Sequence, residues 1–408
     1  MTLVAGAISL MDNYQQSAMY YTENHRNTKI ALVSSGLGNV ERGFEVSCAR
    51  WFHALKNHTD FDVHLLAGGK YPDAVTVPNI KRNSLLLKKL SELPILPEKM
   101  RWELTYGVEQ ISFLPGLLGE LAKINPDVVW VKDVPLAHFI MAAAHLPNYH
   151  YKVIFANGGI FNPQNYKCFD HIQQLNFGGY GVALEAGIPG SKMDLIPNCL
   201  DAEELWEQCR DTSVRQKYGI AQDDYMIVCC AAWNRYHKRI DYLIEEVAKL
   251  NDPKIKLVLC GVEESDTPYL KALGEKLLQD RVIWLTLPVE QVPSVVAAAN
   301  LFVLPSLDEG LGNVLIEAAI IGTPIICHPH SGAKFIIEDP QWMCDISANG
   351  SLASRIVQMR ENPPSINSID TLRHRVYEKF SDRHLVQDFS RMIEKTLTPP
   401  TRKGAVIH

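Results

Sequence analysis

The chain has 408 residues, with 40 Lys and Arg against 46 Asp and Glu, and a formal net charge of -6. A hydrophobic fraction of 47% and a charged fraction of 21% are those of a folded globular chain, which excludes disorder over most of its length. The acidic balance argues against a nucleic-acid partner, and the length exceeds the roughly 250–300 residues that one core supports, so two domains are expected.

In chain order, residues 1–28 carry few periodic signals and read as a loosely held N-terminal arm. From Lys29, short apolar runs of the kind buried on both faces of a sheet alternate with amphipathic patterns. The first runs are Ile30–Val33, Val63–Leu66, Val128–Val131 and Val153–Ala156, and Phe44, Cys48, Trp51 and Leu55 mark a helix among them. Residues 81–100 mix Lys81, Arg82, Lys88 and Lys89 with Leu85, Leu86, Leu87 and Leu90. That pattern predicts an amphipathic surface helix, with weak peripheral membrane contact as the alternative. The alternation pauses at 192–203, KMDLIPNCLDAE, the best linker candidate. The second runs are Met226–Ala231, Ile255–Cys260, Val282–Leu285, Leu301–Leu304 and Pro324–Cys327, with Ile240, Leu243, Val247 and Leu250 marking a helix.

Strands alternating with helices predict an α/β chain of parallel sheets wrapped by helices, in two Rossmann-like domains at 29–198 and 199–375. Residues 376–408 read as a separate C-terminal helix with a frayed tail. Ser381 is its candidate cap, and Leu385, Phe389, Met392 and Ile393 form its apolar stripe.

No apolar run reaches the roughly 18 residues that span a bilayer. Val295–Leu304 is interrupted by Asn300 and stopped by Pro305. The first ten residues lack a basic region, which argues against a secretory leader. Nine scattered cysteines without a Cys-x-x-Cys fit buried thiols in a reducing compartment. The expected location is cytoplasmic, at most peripheral at the inner face of a membrane.

The segment 301–327, LFVLPSLDEGLGNVLIEAAIIGTPIIC, reads as strand, glycine turn, helix, turn, strand. Gly310 and Gly312 let the backbone approach a ligand, and a helix opening near Asn313 aims unpaired N–H groups at an anion such as a diphosphate. Glu309 and Glu317, with seven residues between them, can each clamp neighbouring hydroxyls of a sugar or ribose. A tight turn flanked by two solvated acids is the alternative. In CCAAWNRYHKRID (229–241), Arg235, Lys238 and Arg239 follow an apolar strand and open a helix. There they can face the ligand crevice of a doubly wound fold and offset phosphate charge.

The remaining motifs are weaker. In SSGLGNVERGFE (34–45), Gly36 and Gly38 give G-x-G, but Glu41 stands where a third glycine would complete a dinucleotide fingerprint. Asn157, Gly158 and Gly159 form a second permissive turn, followed by His171 as a candidate donor or base or as a structural histidine. His328 and His330 lack an evident third ligand, so no metal site is expected.

The segment PSLDEGLGNVLIEAAIIGTPII (305–326) closely resembles the nucleotide-sugar site of glycosyltransferase family four, retaining enzymes of GT-B fold. IPNCLD (196–201), RQKYGI (215–220), HKRIDYLIEEV (237–247) and GLGNVERGFE (36–45) add to the resemblance, which spans Lys29 to Gly332. It implies two Rossmann-like domains facing each other across a cleft, with the C-terminal helix crossing back onto the first. It also implies that Glu309 meets the donor sugar, that backbone from Gly310, Leu311, Gly312 and Asn313 meets sugar or phosphate, and that Glu317 holds the ribose. Lys238 and Arg235 would form the basic pair, at a spacing of three, and Gly38 would belong to the donor side. Family members often carry a His where this chain has Asn157, so Asn157, Gly158 and His171 are candidates for the acceptor side.

The expectation is therefore a retaining, metal-independent transferase without a cofactor. It would move a sugar from a nucleotide-sugar donor to a glycan, lipid-linked or small-molecule acceptor. A sugar-nucleotide epimerase of the same architecture and a non-catalytic nucleotide-sugar-binding protein are the alternatives.

Overall fold

Apolar runs buried on both faces form two all-parallel sheets in a computed structural model that describes residues 28–40, 43–85, 87, 89, 98–159, 161–207 and 212–398. The N-terminal sheet holds β1 (Lys29–Ser34), β2 (Asp62–Ala67), β3 (Val75–Thr76), β4 (Val128–Val131), β5 (Lys152–Asn157), β6 (His171–Gln174) and β7 (Met193–Leu195). Their spatial order is β3-β2-β1-β4-β5-β6-β7. The C-terminal sheet, in the order β10-β9-β8-β11-β12, holds β8 (Tyr225–Cys230), β9 (Ile255–Cys260), β10 (Val282–Leu285), β11 (Leu301–Leu304) and β12 (Ile325–Cys327). These are the two Rossmann-like domains across a cleft that the sequence predicts.

The strand period of two sorts side chains into separate cores. Ile30 and Leu32 of β1 join one cluster with Trp51 and Phe52 of α1 (Gly43–His58), whereas Ala31 and Val33 join another with Phe113, Leu117 and Leu121 of α2 (Glu98–Ile124). Pro115 lies inside α2, where a missing N–H and a ring clash would ordinarily break a helix. Complete burial of Phe113 and Leu117 on either side outweighs that cost, at roughly 1.5–3 kcal/mol per side chain.

β6 is absent from the predicted strands because its sequence, HIQQ, carries no apolar run. It is buried all the same, because its amides are paired. Trp130 Nε1 donates to Gln173 Oε1 at 2.7 Å, Gln173 Nε2 donates to the Ile196 carbonyl at 2.8 Å, and Asn157 Nδ2 donates to Gln174 Oε1 at 2.9 Å. A buried amide with partners escapes the desolvation penalty that otherwise keeps Gln out of sheets.

Near the C terminus the chain crosses between domains. After α6 (Ser351–Glu361), α7 (Ile366–Phe380) packs on α5 (Asn313–Ile321) of the C-terminal domain, and α8 (Asp382–Leu397) packs on α1. Leu385, Val386, Phe389, Met392 and Ile393 are all buried in the α1 core, with the Phe389 ring 4.4 Å from that of Trp51. The crossing comes at Ser381, beyond position 376, which lies inside α7. There the Leu200 N–H donates to the Phe380 carbonyl at 3.3 Å and the Asp382 N–H to the Leu200 carbonyl at 3.1 Å. The two interdomain strands of chain thus run side by side. Ser381 stands at the N-cap of α8, but its hydroxyl pairs with His384 Nδ1 at 2.8 Å rather than capping a backbone N–H.

The expected N-terminal arm, but for Thr28, and the tail from Pro399 lie outside the described residues, as does part of 81–100. Within that segment Arg82 turns inward, away from any membrane-facing role, to pair with Glu45 and Glu109. Among the described residues no helix is long and apolar enough to cross a membrane.

Candidate functional site

Parallel strands align their C-terminal ends, and in doubly wound sheets the loops leaving those ends form the ligand crevice. Here both sheets turn such loops toward one cleft. On the C-terminal side, β11 ends at Leu304 and the loop to α5 closes through Gly312 at φ 91°, a left-handed conformation that favours glycine. A Cβ at Gly310 would stand 2.9 Å from the Gly158 carbonyl of the opposite domain. The helix then opens at Asn313 with its first N–H groups directed into the cleft, a site suited to an anion.

The structure brings Lys238 and Glu309 together: Lys238 Nζ pairs with Glu309 Oε1, and His237 Nε2 lies 3.6 Å from Oε2. Burial alone would raise the Glu309 pKa. The charge and hydrogen bond of Lys238, with His237, outweigh it and hold the carboxyl below its ordinary value. The lysine is aimed by Asn234, whose Oδ1 accepts from the backbone N–H of His237 at 3.1 Å and of Lys238 at 2.8 Å. Arg239 adopts φ 50° just before α4 (Ile240–Lys249), and its guanidinium donates to the carbonyls of Pro305 and Ile346, bracing the start of the loop.

Arg235 is not brought to this pair. Its Nε lies 3.2 Å from Asp241 Oδ2, its guanidinium stacks on Tyr269, and its side chain is half exposed. Glu317 follows Asn313 by one helical turn and accepts from Arg50 of α1 at 2.8 Å. Leu311 is buried, its carbonyl packed against Gly332.

On the N-terminal side, Asn157 is buried at the end of β5, its Oδ1 accepting from the Gly159 N–H at 3.4 Å. Asn176 caps α3 (Phe177–Glu185) through Gly179 and donates across the cleft to the Gly310 carbonyl. The glycine turn at 157–159 therefore touches the acidic loop directly. Gly38, at φ 78°, packs against the backbone of Gly69 and Lys70 within the N-terminal domain, away from that loop. His171 departs from the acceptor-side expectation. It opens β6 at the end remote from the cleft, opposite Ile154, and pairs with Asp194 Oδ2 at 2.7 Å.

Several groups in the cleft carry no short-range sequence signal. Asn198 of the linker accepts from Ser47 Oγ at 2.7 Å and Lys132 Nζ at 2.8 Å, and donates to Asn313 Oδ1 at 2.9 Å. Burial pushes the Lys132 pKa down to about 8. Deeper in the N-terminal wall, Arg82 binds Glu109 and Glu45, Ser35 donates to Glu109, and Tyr106 donates to Asp133. Burial pushes the Glu45 carboxyl up to about 7 against the pull of Arg82, with Asp133 and Glu109 adding to the rise. His330 is also buried near Glu309. Its Nδ1 accepts from the Ala333 N–H at 3.1 Å, and burial lowers its pKa to about 4, so the ring is neutral with its proton on Nε2. Among the described residues no group of three or more His, Cys, Asp or Glu side chains gathers as a metal site.

Residues 211–379 match the family model described as "Glycosyl transferases group 1". The N-acetyl-alpha-D-glucosaminyl L-malate synthase of Bacillus anthracis is 23% identical over 205 residues, 49% of this chain and 53% of that protein. The alpha-D-kanosaminyltransferase of Streptomyces kanamyceticus is 31% identical over 135 residues, 32% of this chain and 34% of its own length. The chain thus spans about half or less of the length of these two relatives. Anabaena HepE, solved in complex with UDP and glucose, superposes with a TM-score of 0.70 at 16% identity, over 90% of this chain and 99% of that one, a likeness of fold.

Proposed function

We propose that the chain, whose residues 211–379 match the group 1 glycosyltransferase model, transfers a sugar from a nucleotide-sugar donor to a hydroxyl of a glycan, lipid-linked or small-molecule acceptor, with retention and without a metal. The observation that carries the reading is the Lys238–Glu309 pair, set beside the N-terminus of α5 with Glu317 one turn further along.

Departure of a nucleoside diphosphate builds negative charge on the bridging oxygen. A fixed cation and helix N–H groups stabilise that charge most in the transition state. Lys238 and the amides from Asn313 onward supply both. Glu309 holds Lys238, and a donor sugar hydroxyl can take over as partner to its carboxylate, leaving Lys238 for the phosphate. Glu317 accepts from ribose hydroxyls. The acceptor enters from the N-terminal wall, past the turn at 157–159. Retention belongs to this reading through the resemblance of the 305–326 segment. Metal independence belongs to it through the same resemblance, and Lys238 with the helix N-terminus supports it as groups able to offset phosphate charge.

The test is a panel of nucleotide sugars scored for thermal stabilisation, since a ligand that binds only the folded chain raises its apparent stability by mass action. The donor selected is then followed for acceptor-dependent release of free nucleoside diphosphate. Stabilisation by a nucleotide sugar and release that needs acceptor and survives EDTA are expected. Turnover of the donor without any acceptor would point to the epimerase, and loss of activity to EDTA with recovery in manganese would remove metal independence.

A further inference from the structure

Helix α1 presents Phe44, Ser47 and Arg50 at intervals of three, on one face. Each meets a different part of the opposite wall. The Phe44 ring closes the space beside Gly158, whose carbonyl abuts Gly310. Ser47 donates to Asn198, which donates to Asn313. Arg50 donates to Glu317. The contacts advance in the same direction along α1 and along 310–317, so a helix of the N-terminal domain lies beside the loop and helix that hold the donor. α1 is fixed from behind, where Trp51 is wholly buried against Phe389 of α8.

The last of these contacts is incomplete at both ends. Arg50 and a carboxylate can form two parallel hydrogen bonds, yet here a single one joins Nη2 to Oε1 at 2.8 Å. Arg50 Nη1 is buried and has no partner. Glu317 Oε2 accepts no hydrogen bond from the described residues. One unused donor and one unused acceptor therefore sit together at the position where the proposed function places a ribose. A hydroxyl both donates and accepts, so a vicinal diol can satisfy both groups at once.

We propose that Arg50 is a donor-binding residue supplied by the N-terminal domain. It orients Glu317 through Oε1 and donates its free Nη1–H to the same ribose diol that donates to Glu317 Oε2. This rests on the reading of Glu317 as the ribose acid. It adds that both domains contribute to holding the nucleotide.

Calorimetry on the full chain tests it, with uridine, adenosine and guanosine diphosphates as probes. The tightest of these is compared with its 2′,3′-dideoxy analogue. Wild type should prefer the ribonucleotide. Arg50→Ala should weaken ribonucleotide binding by about 10- to 100-fold, the worth of a hydrogen bond to a charged group, and leave the dideoxy analogue unchanged. Arg50→Lys, which keeps the charge but offers a single nitrogen, should fall between. Glu317→Ala combined with Arg50→Ala should cost less than the sum of the two, because both act on one diol. An Arg50→Ala chain that binds the ribonucleotide as tightly as wild type, or more tightly, would show the ion pair to be inert or a lock. An equal loss for both analogues would show a structural role. Either result overturns the inference while leaving Glu317 in place. A wild-type chain that binds none of the probes, or does not prefer ribose, removes the ribose reading of Glu317 and the Arg50 inference with it.

Discussion

The two walls of the cleft handle charge in opposite ways. The C-terminal wall uses groups from two short segments, 234–239 and 305–317, and its central pair, Lys238 with Glu309, keeps 20% and 9% of the side-chain surface exposed. The N-terminal wall gathers Glu45, Arg82, Glu109, Lys132 and Asp133 from well-separated segments, and Glu109 is fully buried. A pair whose lysine reaches the cleft can exchange partners for a ligand that brings its own hydroxyls and phosphate to replace the lost bond. A buried network cannot lose one member without stranding another charge in low dielectric. The C-terminal wall is thus built to change partners and the N-terminal wall to stay as it is.

The largest expected effect comes from breaking the fixed wall. Arg82→Ala leaves Glu109 and Glu45 buried without their cation, and should cost about 3–5 kcal/mol of stability in urea unfolding. A change below about 1 kcal/mol would mean that water already reaches the cluster. The exchangeable wall should answer in rate instead. Lys238→Ala should lower the single-turnover rate at saturating donor by about 100- to 1000-fold. Near wild-type rates would shift the phosphate role to the α5 amides alone.

A third measurement sharpens the contrast through pH. The Glu45 carboxyl is held at about 7 in the folded chain against 4.5 as its ordinary value, so folding takes up a proton between those two values. Its contribution therefore favours the folded chain below 4.5 and is lost as pH rises through 7. Glu45→Gln should flatten the fall of stability over that window, and an unchanged slope would place the proton elsewhere. The smallest effect is expected at Arg235. Its ion pair with Asp241 is solvent-exposed and directed away from Glu309, so Arg235→Ala should change single-turnover rates by less than about threefold. A loss as large as that of Lys238→Ala would show that the side chain swings into the cleft when donor binds.

The same contrast explains what could be read from the sequence. The runs of the two sheets, the α1 and α4 patterns, and the grouping of Glu309, Gly310, Gly312, Asn313 and Glu317 are properties of neighbours in the chain. Strand and helix periods and a single turn suffice to encode them. Lys238 opposite Glu309 required more, since 71 positions separate them. The resemblance assigned both to one site, and the structure showed that they pair.

The tertiary structure alone decided the rest. β6 became a strand because Trp130, Ile196 and Asn157 complete the hydrogen bonds of two glutamines, and none of these partners is local. His171 was sent to the far end of the sheet by its register with Ile154, where Asp194 receives it. Arg235 and Lys238 sit three apart in the chain, but Asn234 aims one into the cleft and Asp241 holds the other at the surface. Arg50, Ser47, Lys132 and Asn198 reached the cleft because two sheets face each other and the linker passes between them. Local sequence sets which residues share a face. Which faces meet, and so which charges are paired or left with a free hydrogen bond, follows from long-range packing.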